Sequence, residues 1–164
     1  MVTATTTRSL RELVADVPDP EIPVLTIDDL GILRDVRSVA DGAIEVDITP
    51  TYSGCPAMDA IRDDITRRLT DAGYERVRVR LVLAPAWTTD WISDDGRRKL
   101  SEFGIAPPGT APHRSGPVSL TLSVRCPRCG SPDTRELSRF GSTACKALWR
   151  CNQCSEPFDH FKAL

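Results

Sequence analysis

The chain has 164 residues, of which 40% are hydrophobic and 27% are charged, and its net charge is -2. This length is enough for one ordinary domain with a core and a small appendage. No stretch contains the eighteen or so consecutive apolar residues that a membrane helix needs, and the first residues lack the apolar segment of a secretory signal. We therefore expect a globular, cytoplasmic protein without a membrane partner.

The small net charge hides a difference between the two ends of the chain. Residues 1–106 contain 13 basic and 19 acidic residues, a net charge of -6, whereas residues 125–164 contain 7 basic and 4 acidic residues, a net charge of +3. Neither part has the clustered lysines and arginines of a nucleic-acid-binding surface. We therefore expect no nucleic-acid partner.

The first hundred residues predict a small two-layer α/β domain. Residues 43–50 alternate apolar and polar side chains as in a half-buried strand, and Asp41-Gly42 before them suits a hairpin turn. In residues 56–72, apolar side chains recur every three or four positions, as on one helix face. The predicted order is helix 9–14, strand 31–39, strand 43–50, helix 56–72, strand 77–83 and helix 94–103, an α+β arrangement.

The last two of these elements have clear boundaries. Residues 77–83 alternate again, so Leu81 and Leu83 are expected to face the core together with the valines of the same strand. Ser93 can cap the final helix, and Gly104 can end it.

A segment rich in proline and glycine divides the chain. The predicted domains are residues 1–106, a linker over 107–117 and a second domain over 118–164. After the linker, residues 118–124 alternate as in a strand, and short strand-like runs follow. About forty residues of thin sheet bury little apolar surface, so this domain needs a further source of stability.

Four cysteines provide that stability in our interpretation. They form two Cys-x-x-Cys pairs, CPRCG and CNQC, whose cysteines are Cys126, Cys129, Cys151 and Cys154. The pairs have the spacing of a rubredoxin-like zinc ribbon, in which four thiolates complete the tetrahedral shell of Zn²⁺ and leave no position open for catalysis. Mononuclear iron or an iron–sulfur cluster is an alternative, and so are two disulfides or free thiols.

Cys55, in the stretch TPTYSGCPAMDAI, is predicted at the N-cap of a helix, because Pro56 suits a first helical turn. The positive end of the helix dipole would favour its thiolate, which could bind metal or attack an electrophile. The alternative is a small residue in a tight loop. The two histidines, His113 and His160, lie beyond the first domain, so no base for nucleophilic catalysis is evident, and we expect no enzyme.

Two further features are weaker candidates. The acidic residues Asp16, Asp19 and Glu21 could hold a hard cation, or could form a solvated loop between prolines. Cys145 stands outside the paired cysteines and could be a small buried hydrophobe or a metal-handling residue.

These stretches together resemble a known family. The residues DPEIPVLTIDDLGI, the Thr-x-x-x-Cys-Pro motif at Thr51–Pro56, APAWTTDWIS and RRKLSEFGIAPP are similar to the domain of SufT-type iron–sulfur maturation factors. With the C-terminal FGSTACKALWRCNQCSEPFDHFK, nearly the whole chain resembles the PaaD family of phenylacetate-degradation proteins.

The resemblance implies a non-catalytic accessory protein of a phenylacetyl-CoA epoxidase system that assists iron–sulfur cluster assembly in the reductase subunit. By motif position it implies that Cys55, Asp19, Glu21 and Thr51 handle iron or a transient cluster, and that the paired cysteines hold structural zinc. The implied partners are the reductase or oxygenase subunits. A homo-oligomer, a purely structural adaptor role and a nucleic-acid-binding ribbon remain as alternatives.

Overall fold

The computed structural model describes residues 4–109 and 124–163, with side chains from residue 10 onward. The chain forms two compact units that divide between Trp87 and Thr88. Among the described residues, no helix is both long enough and apolar enough to cross a lipid bilayer.

The first unit is a three-stranded sheet with two helices. Its elements are α1 (Ala4–Ala15), β1 (Leu33–Ser38), β2 (Ile44–Ile48), α2 (Ala57–Asp71) and β3 (Val77–Leu81). The strand order is β1-β2-β3, with β1 antiparallel and β3 parallel to β2. The parallel pair requires a crossover, which α2 provides. The predicted α+β class is confirmed.

The core of this unit joins one face of the sheet to the apolar side of α2. Ile44, Val46 and Ile48 of β2 are buried, and so are the residues of α2 that recur at three- and four-residue intervals, including Ile61 and Ile65. Full burial of each such side chain contributes about 1.5–3 kcal/mol. Helix spacing in the sequence therefore predicted the buried face of α2.

The opposite face of the sheet carries a charged ladder, which we define as Arg37, Glu45, Asp47, Arg78 and Arg80. Arg37 donates to Glu45 at 2.6 Å and to Asp47 at 2.7 Å, while Nε of Arg80 lies 3.2 Å from Asp47. Arg78 pairs with Glu45 at 3.5 Å. Opposite charges alternate across the strands, so each carboxylate of the ladder is shared between arginines.

The leucines at the end of β3 do not face the core. Leu81 is 44% exposed and Leu83 is 70% exposed, so the prediction that both point inward is wrong. Both leucines are exposed because β3 is an edge strand of the sheet and the regular strand already ends at Leu81. Leu81 follows the alternation with arginines, whereas Leu83 is flanked by the apolar residues Val82 and Ala84.

The second unit is a four-stranded sheet preceded by a helix. Its elements are a 3₁₀ turn (Thr89–Trp91), α3 (Asp94–Phe103), β4 (Ile105–Ala106), β5 (Thr134–Ser138), β6 (Lys146–Cys151) and β7 (Pro157–Phe161). The strand order is β4-β7-β6-β5. As predicted, the Ser93 hydroxyl caps α3 by accepting from the Gly96 N–H at 2.9 Å, and Gly104 ends α3 with a φ of 89°.

The division at Trp87 differs from the predicted boundary at residue 106. Strand β4 pairs in parallel with β7, so α3 and β4 belong to the second unit. A two-residue strand leaves no alternation for sequence analysis to detect. Residues 118–123 of the strand expected over 118–124 and most of the expected linker lie outside the described residues, and the predicted domain boundaries remain a prediction.

Candidate functional site

Four cysteine sulfurs of the second unit lie together in a cage. Sγ of Cys126 is 3.8 Å from Sγ of Cys154, Sγ of Cys129 is 3.5 Å from Sγ of Cys151, and all four ligand atoms lie within 4.8 Å of one another. Four thiolates at about 2.3 Å from Zn²⁺ would lie about 3.8 Å apart, so the cage fits a tetrahedral metal ion. The separations far exceed a disulfide bond, and these cysteines are free, so the disulfide alternative is not found.

Backbone amides around the cage favour the charged form of the sulfurs. The N–H groups of Cys154 and Gln153 donate to the sulfur of Cys151 and lower its pKa to about 7. The N–H of Ser131 donates to Cys129 and acts in the same direction, but burial and the neighbouring cysteines outweigh it and raise the pKa of Cys129 to about 12, and the pKa of Cys154 is also raised. Metal binding requires thiolates, so this backbone arrangement suits a metal site.

The cage also belongs to the core of the second unit. Cys126 and Cys151 are buried in one cluster with Ala106, Val124 and Phe158. This cluster is small, so metal binding and packing stabilise the same few residues. Since four thiolates close the coordination shell, the arrangement suits a structural metal rather than a catalytic one.

Cys145 lies outside the cage. It is 4% exposed, and its sulfur lies 3.0 Å from Oγ1 of Thr143. The loop around it is tight, because a Cβ added at Gly141 would lie 2.9 Å from Oδ1 of Asp159. Of the two predicted roles, burial agrees with the small hydrophobe.

Cys55 precedes α2 in the first unit. The helix begins at Ala57 with Pro56 as its N-cap, so the prediction that Cys55 itself is the N-cap is wrong by one residue. The Cys55 thiol is half-buried and accepts hydrogen bonds from the N–H of Ala57 and from the side chain of Tyr52. The sulfur therefore contacts the helix start, as expected, and remains reachable from solvent.

The surroundings of Cys55 favour the thiol over the thiolate. Burial raises its pKa, and the negative charges of Glu21 and Asp19 raise it further, while the hydrogen bonds from Ala57 and Tyr52 act in the opposite direction. The net direction is upward, so the predicted thiolate is not found. The helix start lowers the pKa of Cys55, but partial burial and two carboxylates that are distant in sequence raise it by more.

Those two carboxylates lie in a rigid turn. Oδ1 of Asp19 accepts from the N–H groups of Glu21 at 2.9 Å and Ile22 at 2.8 Å, and the Asp19 N–H donates to the Leu25 carbonyl at 2.8 Å. Asp19 is only 6% exposed, so the solvated-loop alternative does not describe it. The fold thus brings Asp19 and Glu21 within electrostatic range of Cys55.

Thr51 and Tyr52 complete this region. Thr51 lines a cavity together with Tyr52, and Tyr52 also contacts the Cys55 thiol. Sequence analysis singled out Thr51 through the motif but missed Tyr52. The only signal for Tyr52 was its place within the same Thr-x-x-x-Cys-Pro motif, and a tyrosine before a loop cysteine has no distinctive spacing.

We predict that Glu21→Gln makes Cys55 more reactive. Loss of this negative charge lowers the Cys55 pKa, which increases the thiolate fraction at pH 7.5 and accelerates alkylation by iodoacetamide several-fold. Mass spectrometry of the Cys55 peptide over time measures the rate. Glu75→Gln, an exposed substitution in the same unit, serves as the control and should leave the rate unchanged. Equal rates in wild type and Glu21→Gln would contradict the electrostatic assignment.

His160 is not part of the cysteine cage and gives a separate prediction. Its ring packs edge-on against Trp149 with centroids 5.8 Å apart, and burial lowers its pKa to about 4. The unfolded chain has the ordinary histidine pKa of about 6.5 and takes up the proton first as the pH falls. The second unit should therefore lose stability between about pH 6.5 and pH 4.

We expect this loss to reach about 1 kcal/mol at pH 5, after allowance for the partial exposure of the ring. His160→Gln should remove it. The unfolding free energies of wild type and variant are measured at pH 7 and at pH 5, and the difference between the two proteins is compared at the two pH values. This difference isolates His160, because acid affects the cysteine cage equally in both proteins. A difference that does not change with pH would contradict the burial of a neutral ring.

Comparison with known proteins divides the chain into two parts, each containing one of the two sites. Residues 8–83 match the family model for iron–sulfur cluster assembly proteins, and residues 110–162 match the model for the PaaD zinc β-ribbon domain. The first match contains Cys55, Asp19, Glu21 and Thr51, and the second contains the cysteine cage.

Individual relatives show the same division. The chain is 52% identical over 153 residues to an Escherichia coli K12 protein provisionally named as the D subunit of 1,2-phenylacetyl-CoA epoxidase, covering 93% of this chain and 90% of that protein. It is 33% identical over 96 residues to an Fe-S protein maturation auxiliary factor of Porphyromonas gingivalis, covering 58% of this chain and 90% of that protein.

One solved structure supports the fold of the first part. The crystal structure of a DUF59 domain of unknown function from Bacillus anthracis superposes with a TM-score of 0.54 at 24% identity, over 58% of this chain and 92% of that one. The chain is 52% identical to the Escherichia coli protein over nearly its full length, and the two family models match its two parts. It therefore belongs to the PaaD family and joins an iron–sulfur cluster assembly domain to a zinc β-ribbon.

Proposed function

We propose that this protein is a non-catalytic accessory factor that helps assemble or insert the iron–sulfur cluster of the reductase in a phenylacetyl-CoA epoxidase system. The observation that carries the proposal is the half-exposed Cys55 thiol within the electrostatic range of Asp19 and Glu21. Thiols and carboxylates are ligand types that iron accepts, although among the described residues only the four cage cysteines are already gathered at metal-binding distance. The names of the relatives, one from an epoxidase and one an Fe-S maturation factor, support the same role.

The electrostatics of Cys55 suit transient binding. Without a cation, partial burial and the two carboxylates keep the sulfur protonated and less reactive. An arriving iron ion would neutralise the carboxylates, lower the pKa of the thiol and displace its proton. The same acidic groups thus protect the free thiol and attract the metal.

The ligand count also favours release. Clusters are held by four cysteine thiolates, and the first unit offers Cys55 alone. The remaining ligands must come from the client protein, from a small thiol or from a second copy of the chain. A cluster bound through one thiolate of this protein is weakly held, as transfer to a client requires.

The ribbon has a different role in this proposal. Zinc in the cage of Cys126, Cys129, Cys151 and Cys154 would stabilise the second unit and leave its surface available to the reductase or oxygenase. Four thiolates leave no coordination position for substrate, so the ribbon metal takes no part in cluster transfer.

Cluster reconstitution of the reductase tests the proposal. Apo-reductase is incubated anaerobically with ferrous iron, sulfide and thiol, with and without this protein, and cluster content is followed by absorbance and by iron and sulfide analysis. The proposal expects faster or more complete cluster formation with the protein present. Equal cluster content together with stable co-purification in a fixed ratio with the oxygenase would instead support the adaptor role.

A further inference from the structure

The four residues of the cysteine cage differ in their access to solvent. Cys126 is 2% exposed and Cys151 is 0% exposed, whereas Cys129 is exposed and Cys154 is half-buried. Each Cys-x-x-Cys pair therefore has one cysteine in the core and one nearer to the surface. Of the four, Cys129 is the cysteine that a small molecule in solution reaches most easily.

The turn that presents Cys129 is basic as well as exposed. Nη1 of Arg125 donates to the Gly130 carbonyl at 3.2 Å, so a guanidinium lies over this turn, and Arg128 next to Cys129 is also exposed. Exposure and a positive environment distinguish reactive cysteines from inert structural ones. A bound metal ion adds to both, because a coordinating thiol is held as the thiolate, which is the nucleophilic form.

A second sulfur lies against that of Cys129. Sγ of Cys151, from the other Cys-x-x-Cys pair, is 3.5 Å away. Cys151 is buried, so its sulfur is shielded from solvent but is in contact with the exposed one. A cysteine that is oxidised to a sulfenic acid beside a second cysteine condenses with it to a disulfide. The two residues therefore have the arrangement of an attacking and a resolving cysteine.

The sulfur contacts favour one of the three ways in which four cysteines can pair. The second close contact joins Cys126 to Cys154 at 3.8 Å, and like the first it links one Cys-x-x-Cys pair to the other. Disulfides along both contacts would leave the two turns cross-linked to each other. They would also consume every thiolate that holds the metal.

We propose that Cys129 is a site of oxidation by hydrogen peroxide, at which the cage is converted to disulfides and releases its metal. The Cys129 thiolate attacks one peroxide oxygen, the O–O bond breaks, and the departing hydroxide takes a proton to become water. The Cys151 thiolate then attacks the sulfenic sulfur, the S–S bond forms, and a second hydroxide leaves and is protonated to water. Two electrons pass from the two sulfurs to the peroxide, and both protons come from solvent.

Metal release follows from the loss of ligands. After the first disulfide only Cys126 and Cys154 remain as thiolates, whereas a structural zinc site needs four ligands. A second peroxide would join these two sulfurs by the same steps. The exchange takes place inside the cluster that contains Val124 and Phe158, so it alters the packing of the second unit. This inference goes beyond the proposed function and requires neither Cys55 nor iron.

The test uses the full chain loaded with one equivalent of Zn²⁺ and treated with hydrogen peroxide. A zinc-sensitive dye follows metal release, and mass spectrometry maps the disulfides after the free thiols are blocked. Trypsin separates residues 126–128, 129–135 and 151–162. We expect zinc release together with a first disulfide that joins residues 129–135 to residues 151–162. Fragmentation should place this disulfide on Cys151 rather than Cys154.

Two substitutions distinguish Cys129 from the other ligands. Cys129→His keeps a fourth zinc ligand, because structural zinc sites also use three cysteines and one histidine. It removes the exposed sulfur, so zinc release by peroxide should be at least about tenfold slower. Cys154→His is the matched control, because it has the same ligand set but retains Cys129, and it should release zinc at the wild-type rate. The disulfide map of the wild-type chain tests the proposal without either variant.

Three results would each overturn the proposal. The first is full retention of zinc by wild type at a peroxide concentration that oxidises glutathione. The second is a first disulfide that lies within a Cys-x-x-Cys pair or omits Cys129. The third is equal rates of zinc release from Cys129→His and Cys154→His, which would show that the peroxide attacks elsewhere. No iron is present in these measurements, so their outcome is independent of the cluster reconstitution experiment.

Discussion

Replacing Cys126 with serine will release the ribbon metal and unfold the second unit. The cage loses one of four thiolates, and Cys126 also belongs to the small cluster with Val124 and Phe158 that a bound metal would stabilise. Structural zinc sites of this kind contribute on the order of 10 kcal/mol to folding, so the loss of a ligand exceeds what so small a core can replace. Metal content by mass spectrometry and thermal unfolding by circular dichroism measure the effect.

Cys145→Ser is the matched control for that experiment. Cys145 is a buried cysteine of the same unit outside the cage, so this variant should lose some stability through its buried hydroxyl but keep one equivalent of metal. A chelator should then destabilise wild type and Cys145→Ser alike. Full metal content in Cys126→Ser, with an unchanged chelator response, would refute stabilisation by metal.

Replacing Cys55 with serine will leave the fold intact and abolish the effect of the protein on the reductase. The side chain is half-exposed and its change removes little packing, so the unfolding free energy should change by no more than about 1 kcal/mol. Serine cannot provide a thiolate for iron. Cluster content in the reductase, measured as iron and acid-labile sulfide, should fall to the level found without the protein.

The control for Cys55 is Ser53→Ala, an exposed change in the same loop that retains the thiol. It should support reconstitution as well as wild type does. Normal cluster content with Cys55→Ser would remove the donor role and leave the adaptor role. A parallel titration with ferrous iron alone shows whether Cys55 contributes to binding the ion before any client is present.

Local patterns in the sequence predicted the parts of the fold that depend on neighbouring residues. The spacing of Ile61 and Ile65 identified the buried face of α2, and Ser93 and Gly104 marked the ends of α3. The two Cys-x-x-Cys pairs identified the cysteine cage, because each pair forms one turn that presents two sulfurs. In these cases the determining interactions lie within a few residues.

The failures come from interactions between distant residues. Cys55 is next to a helix start in sequence, but the charges that raise its pKa come from Asp19 and Glu21, which only the fold brings near. Leu83 alternates like a core residue, but its exposure depends on which strand forms the sheet edge. The Thr49 hydroxyl has no hydrogen-bond partner among residues 10–109 and 124–163, and this too depends on the folded surroundings, which sequence patterns do not show.

The charged ladder on the sheet of the first unit restricts how copies of the protein can associate. A second copy stacked on that face would remove water from Arg37, Arg78 and Arg80 and from the carboxylates between them. Dehydration of such ions costs several kcal/mol each, and the arginines already share the acidic groups within their own sheet. Self-association through a surface without such ions would avoid this dehydration cost.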